Sequence, residues 1–261
     1  MNISLDFVPE ALQRFFAAHR RVALAFSGGC DSAYLMYAAA ACGADVLACY
    51  VQSCFQPTFE YADACRLTEA LGQRLVVLHA DVLENENVSS NPPDRCYHCK
   101  QQIFETIIAH ASEEGYDCVI DGTNASDDAG DRPGMRALAE LGVLSPLRMC
   151  GIEKPRLRRL SEGAGLFTWN KPAYACLATR IPTGQVITAE ALERIERAEN
   201  ALMDLGFADF RVRMDDAGAR LELTEEQMPM LIAQRAEILR LLGDDFAQIT
   251  LDLRPRKGLE R

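Results

Sequence analysis

The chain has 261 residues, 49% hydrophobic and 25% charged, with a formal net charge of −11. That length suffices for a large core, as one big domain or two modest ones, and the acidic balance argues against broad, non-specific binding to nucleic acid or anionic membrane. No apolar run approaches the roughly 18 residues of a membrane helix, and residues 1–16 show no basic stretch leading into an apolar one, so a cytoplasmic protein is expected.

The first half alternates between two periods. RVALAF (21–26) is a short, nearly continuous apolar run, as a parallel strand buried on both faces requires. DSAYLMYAAAACG (31–43) reads as a helix closed by Gly43, and ADVLACYV (44–51) as a second strand. A helix over 58–72, a strand over 73–81, a long helix over 94–115 with Asp94 as N-cap, and a strand over 117–123 follow. Strand–helix alternation of this kind predicts a parallel sheet covered by helices, with ligands at the carboxyl ends of the strands. From about 124 to 186 the pattern loosens. NASDDAGDRPG is a polar loop, KPRLRRLSEGAG a short basic helix with a solvated face, and TWNKPAYACLATRIPTG a Pro- and Gly-rich connector. Regular structure resumes with an amphipathic helix (188–205), a hairpin of DFRVRM and ARLELT around DDAG, a helix from Glu225 to about Leu242, and a last strand, AQITLDL. The fold class expected is α/β, a parallel-sheet domain over 1–165 with a second, smaller α+β domain over 166–261.

The sequence AFSGGCDS (25–32) stands where the first strand gives way to the first core helix. Glycine admits positive φ and close approach of a ligand to the backbone, and the amides of a helix N-terminus attract anions. Ser27 and Ser32 add hydroxyl donors around Gly28 and Gly29. Asp31 would repel a bare phosphate, so a Mg²⁺ accompanying the phosphates is the better partner for it. These features fit binding of a nucleotide's pyrophosphate; a tight turn with a helix cap is the bland alternative. There is no G-x-x-x-x-G-K-[ST] run.

Of 10 cysteines, Cys42, Cys49, Cys65 and Cys118 lie inside apolar segments, where a thiol packs as a small hydrophobe. Cys96, Cys99 and Cys176 do not. DRCYHCK spaces Cys96 and Cys99 about one helical turn apart. A zinc site completed by Cys176 and His98, a redox pair, an incidental spacing and an iron–sulfur cluster all remain open on spacing alone. Arg211 and Arg213, two apart in an expected strand, share one face and are candidates for a phosphate or carboxylate clamp; salt bridges on a solvated strand face are the alternative. Trp169 and Tyr174 are read as packing residues.

The S-G-G-x-D-S run resembles the PP-loop of ATP pyrophosphatases, which cut ATP between the α- and β-phosphates. Taken with DGTNASDDAGDRPG, SPLRMCGIEKPRLRRL, KPAYACLATRIPTG, RAENAL and DFRVR, the chain resembles the LarE family through nearly its whole length. That resemblance implies an adenine nucleotide alpha hydrolase-like PP-loop domain and an ATP-dependent sulfur transferase of nickel-pincer nucleotide synthesis. A carboxylate of pyridinium-3,5-biscarboxylic acid mononucleotide would be adenylated, with Asp31 serving Mg²⁺, and converted to a thiocarboxylate. The sulfur would come either from Cys176 itself, leaving dehydroalanine, or from sulfide on a 4Fe-4S cluster held by Cys96, Cys99 and Cys176; the presence of all three thiols favours the cluster. By the same resemblance Arg180, four residues after Cys176, holds a phosphate or substrate carboxylate with Arg211 and Arg213. Glu199 and Glu222 either bind a divalent metal or pair with arginines. The partners implied are a small anionic nucleotide and further copies of the chain, since relatives assemble as hexamers, with no nucleic acid and no membrane. Rival readings are a tRNA-thiolating PP-loop enzyme, an amidotransferase- or NAD-synthetase-type pyrophosphatase, and a non-catalytic nucleotide-binding redox sensor.

Overall fold

The computed structural model describes residues 3–127, 133–172, 174–215 and 218–256. In chain order the elements are α1 (Glu10–Ala18), β1 (Arg21–Ala25), α2 (Cys30–Ala41), β2 (Asp45–Gln52), α3 (Thr58–Leu71), β3 (Arg74–His79), α4 (Glu86–Ser89), α5 (Arg95–Glu113), β4 (Val119–Ile120), α6 (Pro133–Glu140), α7 (Pro146–Met149) and α8 (Lys154–Gly163). There follow α9 (Ala189–Asp204), β5 (Arg211–Asp215), β6 (Gly218–Glu222), α10 (Met228–Ala233), α11 (Arg235–Leu242) and β7 (Ile249–Leu251). The chain divides into two compact units. The first comprises Met1–Ser53, Thr58–Val82 and Asp94–Lys171; the second comprises Cys54–Pro57, Leu83–Pro93 and Pro172–Arg261.

In the first unit β1 pairs in parallel with β2 and β4, and β2 with β3, giving the order β3-β2-β1-β4. Alternate residues go to opposite faces. Val22, Leu24, Val46, Ala48 and Tyr50 pack with Leu12, Phe16, Tyr34, Leu35 and Leu67 on one face. Ala23, Leu47, Cys49 and Val51 pack with Phe104, Ile107 and Leu138 on the other. Both faces are covered, which is why these strands read as unbroken apolar runs. The expected strand over 117–123 is only the pair Val119–Ile120, extended by a bridge from Ile120 to Leu144. The loosely patterned stretch after 124 contains α6, α7 and α8; residues 128–132 of the polar loop lie outside the described residues.

The second unit carries a three-stranded sheet, β5-β6-β7, with β5 and β6 antiparallel and β6 and β7 parallel. Val212 and Leu221 meet Ala198 and Leu202 of α9 and Ile238 and Leu242 of α11 in its core. The single helix expected from Glu225 to Leu242 is instead a 3-10 turn (Glu225–Gln227), α10 and α11. Pro229 has no amide to donate and so sits in the first turn of a new helix rather than inside a long one. Gln234 breaks the run again, with φ −100° and ψ 11°. Asn91, at φ +55°, donates from Nδ2 to the Pro182 carbonyl at 2.8 Å, and Ile187 N donates to Ser89 O at 2.7 Å, so the 83–93 excursion fastens the segment after Cys176.

Candidate active site

In the first unit the chain leaves β1 through Phe26 and turns at Gly28, whose φ is +69°. A Cβ there would lie 3.0 Å from Glu60 O and 3.1 Å from Ala64 N of α3, so both backbone angle and space require glycine. Gly29 caps α2 without any side-chain cap bond, which leaves first-turn amides of that helix turned to the loop. Ser27 is exposed; its Oγ lies 3.2 Å from Ser32 Oγ. Gly122, just past β4, comes so near the start of α2 that a Cβ would be 3.0 Å from Ser32 N.

Asp31 stands in the first turn of α2. Its Oδ2 accepts a 2.6 Å hydrogen bond from Lys154 Nζ, while Oδ1 is buried with no hydrogen-bond partner among the described residues. Burial pushes the Asp31 carboxyl above the ordinary aspartate range, and the Lys154 ammonium pulls it part of the way back. An unsatisfied carboxylate oxygen beside uncapped helix amides is a donor set suited to a hard cation carrying phosphates. The loop therefore fits Mg²⁺ and a nucleotide. Cys30, within the same turn, is buried against Ser161 and the Trp169 carbonyl, and burial raises its thiol.

Cys96 and Cys99 both lie on α5, Cys96 exposed and accepting from Arg95 Nη2 at 3.6 Å, Cys99 half-buried. His98 faces Asp94, Nε2 to Oδ2 3.4 Å. Cys49 is a core thiol and Cys42 and Cys118 pack half-buried against the core; burial raises the pKa of all three, that of Cys49 to about 12.

In the second unit Cys176 is the N-cap of a 3-10 turn, Leu177–Arg180, and is half-buried. Its carbonyl accepts from Thr179 Oγ1 at 2.8 Å, and Leu177 N donates to Phe55 O at 2.9 Å. Arg180 is fully buried. Its Nε and Nη2 donate to the two oxygens of Glu199 at 2.9 and 3.0 Å, and Nη1 donates to Ala175 O (2.6 Å), Cys176 O (3.3 Å) and Thr179 Oγ1 (3.0 Å). The guanidinium thus holds the cysteine loop from within. Although burial disfavours its charge, Glu199 holds its pKa above the ordinary value. Glu199 also accepts from Val212 N at 2.9 Å and from the Tyr174 hydroxyl. With its acceptor sites filled by protein donors, it is an ion-pair partner here.

Tyr174, read from sequence as packing, is the hub that the residue pattern concealed. Its ring lies under Arg180 at 4.5 Å and Arg211 at 5.1 Å. The available signal was an aromatic with a polar tip, two residues before Cys176, in a segment carrying an arginine. Arg211 and Arg213 do share a face of β5, opposite the core residue Val212. Arg211 is 6% exposed; burial, then the like charges of Arg180 and Arg256, pull its pKa down to about 10. Arg213 donates to Glu222 at 2.7 Å and to Thr179 O. Arg220 lies opposite Arg213 across the ladder, and Glu222 accepts from it also, at 3.3 Å, which offsets the like-charge pairing.

The second unit therefore brings Arg180, Glu199, Arg211, Arg213 and Glu222 together beside the Cys176 loop. Cys96 and Cys99 belong to the first unit. Among the described residues no three His, Cys, Asp or Glu side chains are grouped to hold a metal ion.

A parallel sheet whose first strand ends in this glycine turn, with a separate small mixed sheet, defines the PP-loop α/β class. No family model matches the chain. An uncharacterised protein of Synechocystis is 36% identical over 248 residues, spanning 94% of this chain and 92% of its own. The pyridinium-3,5-bisthiocarboxylic acid mononucleotide synthase of Lactiplantibacillus plantarum is 32% identical over 237 residues, 90% of this chain and 86% of its own. More distantly, a tRNA-specific 2-thiouridylase of Clostridium botulinum is 29% identical over 182 residues, 58% of this chain and 52% of its own. The chain belongs to the LarE family of sulfur transferases.

Proposed function

We propose that the protein adenylates a carboxylate of pyridinium-3,5-biscarboxylic acid mononucleotide with ATP, releases pyrophosphate, and converts the acyl adenylate to a thiocarboxylate with release of AMP. The match to the L. plantarum synthase along 90% of the chain carries this reading. The phosphate cradle at Ser27, Gly28, Gly29 and Ser32 supports it, with Asp31 as the ligand of Mg²⁺. A carboxylate oxygen of the substrate forms a bond to the α-phosphorus, and the bond from that phosphorus to the bridging oxygen breaks, its electron pair leaving with pyrophosphate. Sulfur then adds to the activated carbonyl carbon, and AMP leaves with the electron pair of the acyl–oxygen bond.

Arg211 and Arg213 bind the anionic substrate, and residues 166–261 supply the substrate and sulfur-transfer functions to the ATP-using domain, 1–165. Arg180, paired with Glu199, holds the Cys176 loop in this reading, and Glu222 orients Arg213. For the sulfur, the presence of Cys96, Cys99 and Cys176 supports a 4Fe-4S cluster, which when bound supplies sulfide for repeated turnovers. The competing source is Cys176 itself: its thiolate attacks the carbonyl, and β-elimination then leaves dehydroalanine and the thiocarboxylate. A cytoplasmic homo-oligomer acting on a small molecule completes the proposal; no helix among the described residues is long and apolar enough to cross a membrane.

The deciding experiment is an anaerobic assay with ATP, sulfide and the dicarboxylate nucleotide, following thiocarboxylate per protein. ATP–pyrophosphate exchange that depends on the pyridinium substrate is expected; exchange that ignores it defeats the assignment. Iron and acid-labile sulfide in the purified protein mark the cluster route, whereas a loss of H₂S from the intact mass, mapped to Cys176, marks the sacrificial one.

A further inference from the structure

The geometry points to Lys154 as the residue that binds the β- and γ-phosphates of ATP and neutralises the departing pyrophosphate. The inference rests on the adenylating function proposed above. The strand order turns back at β1: β2 and β3 lie to one side of it and β4 to the other. In open parallel sheets the crevice at such a reversal, beyond the carboxyl ends of the strands, receives the ligand. The Gly28 turn leaves from β1 and the Gly122 approach from β4, so both borders of that crevice meet at the start of α2.

Helix α8 begins at the same place. Ala125 N donates to Ile152 O at 2.9 Å, and Lys154 N to Ser126 Oγ at 2.8 Å, which ties the first residue of α8 to the loop after β4. Three cations of this region have different duties. Arg158 is spent on the carbonyls of Trp169 (2.6 Å) and Lys171 (3.0 Å), and Lys171 on Asp63 (2.6 Å). Among the described residues Lys154 bonds Asp31 alone, and its side chain keeps 26% of its exposure. An ammonium has three donors, so two remain for a ligand.

The Lys154–Asp31 pair is thus a charge-balanced resting state of the loop. With Asp31 engaged by Mg²⁺, the Lys154 ammonium would be freed of that carboxylate and left to meet triphosphate oxygens beside the helix amides. Bond cleavage moves an electron pair onto the β-phosphate, and a positive charge fixed there favours the transition state over bound ATP. The competing role is structural: Lys154 merely neutralises Asp31.

Binding of Mg·ATP and of AMP to the full-length protein separates the two. Lys154→Met is expected to weaken ATP binding about tenfold to a hundredfold, the size of a charge-assisted contact, with AMP affinity little changed, since AMP lacks both distal phosphates. Lys154→Arg restores part of the loss. Asp31→Asn with Lys154→Met, which strands no charge, binds ATP more weakly than Asp31→Asn alone, and this comparison decides the matter if Lys154→Met does not fold. Equal loss for ATP and AMP, or equal affinity of the double and Asp31→Asn variants, overturns the role of Lys154. Absence of ATP binding by the unaltered protein defeats the adenylating function itself, and this inference with it.

Discussion

Arg180 and Glu199 are 0% and 1% exposed and exchange two hydrogen bonds, so neither charge is solvated if the other is removed. Breaking a buried pair from one side costs about 3–5 kcal/mol. Glu199→Ala is therefore expected to lower unfolding free energy by that order, measured as a fall in the urea midpoint, while Glu199→Gln, which keeps the Val212 and Tyr174 contacts within reach, loses less. Asp31 offers a pH test. Its folded pKa is raised, chiefly by burial, so the stability contributed by its protonated form is present at acid pH and lost as pH rises through the raised value. Mg²⁺ binding needs the carboxylate and runs the other way. Mg·ATP affinity should fall on acidification at a pH above the ordinary aspartate range, and Asp31→Asn should remove that titration; an unchanged profile in the variant assigns it elsewhere.

At the level of elements, the turn after β1 tolerates nothing larger than glycine at its left-handed position. Gly28→Ala adds a strain of about 1–2 kcal/mol, together with the clash against the α3 backbone at 3.0 Å. A lower melting temperature and weakened ATP binding are expected together. The β1–α2 and β2–α3 units were legible because buried parallel strands and glycine-closed helices leave strong local patterns. The start of α2 was expected at Asp31 and lies at Cys30. The break of the last helical run was less legible: Pro229 announced the first interruption, but Gln234 carries no helix-breaking chemistry and answers to tertiary packing, its side chain reaching Leu205 O. Of the site, the PP-loop could be read directly, since turn, cap and carboxylate are adjacent in sequence. Tyr174, Glu199 and Arg180 meet only through folding, and Lys154 lies 123 residues from the carboxylate it bonds. Contacts of that span have no local period to betray them.

For the molecule as a whole, the net charge of −11 bears on the rival tRNA reading. Polyanion affinity is supplied by released counterions, which an acidic surface does little to provoke. No retention of bulk tRNA is expected at physiological salt, checked by gel shift; tight, salt-sensitive binding would restore that rival. The route of the backbone has a further consequence. It passes between the two units at five places, after Ser53, Pro57, Val82, Pro93 and Lys171. On the ribosome, the residues near 55 and 91 must wait for partners made about ninety to a hundred and twenty codons later. A fragment beginning at Pro172 would lack the Phe55, Ser89 and Asn91 carbonyls that receive Leu177, Ile187 and Gly184. The smaller unit is thus assembled from three separate stretches of chain, and a single cut in the gene cannot yield it whole.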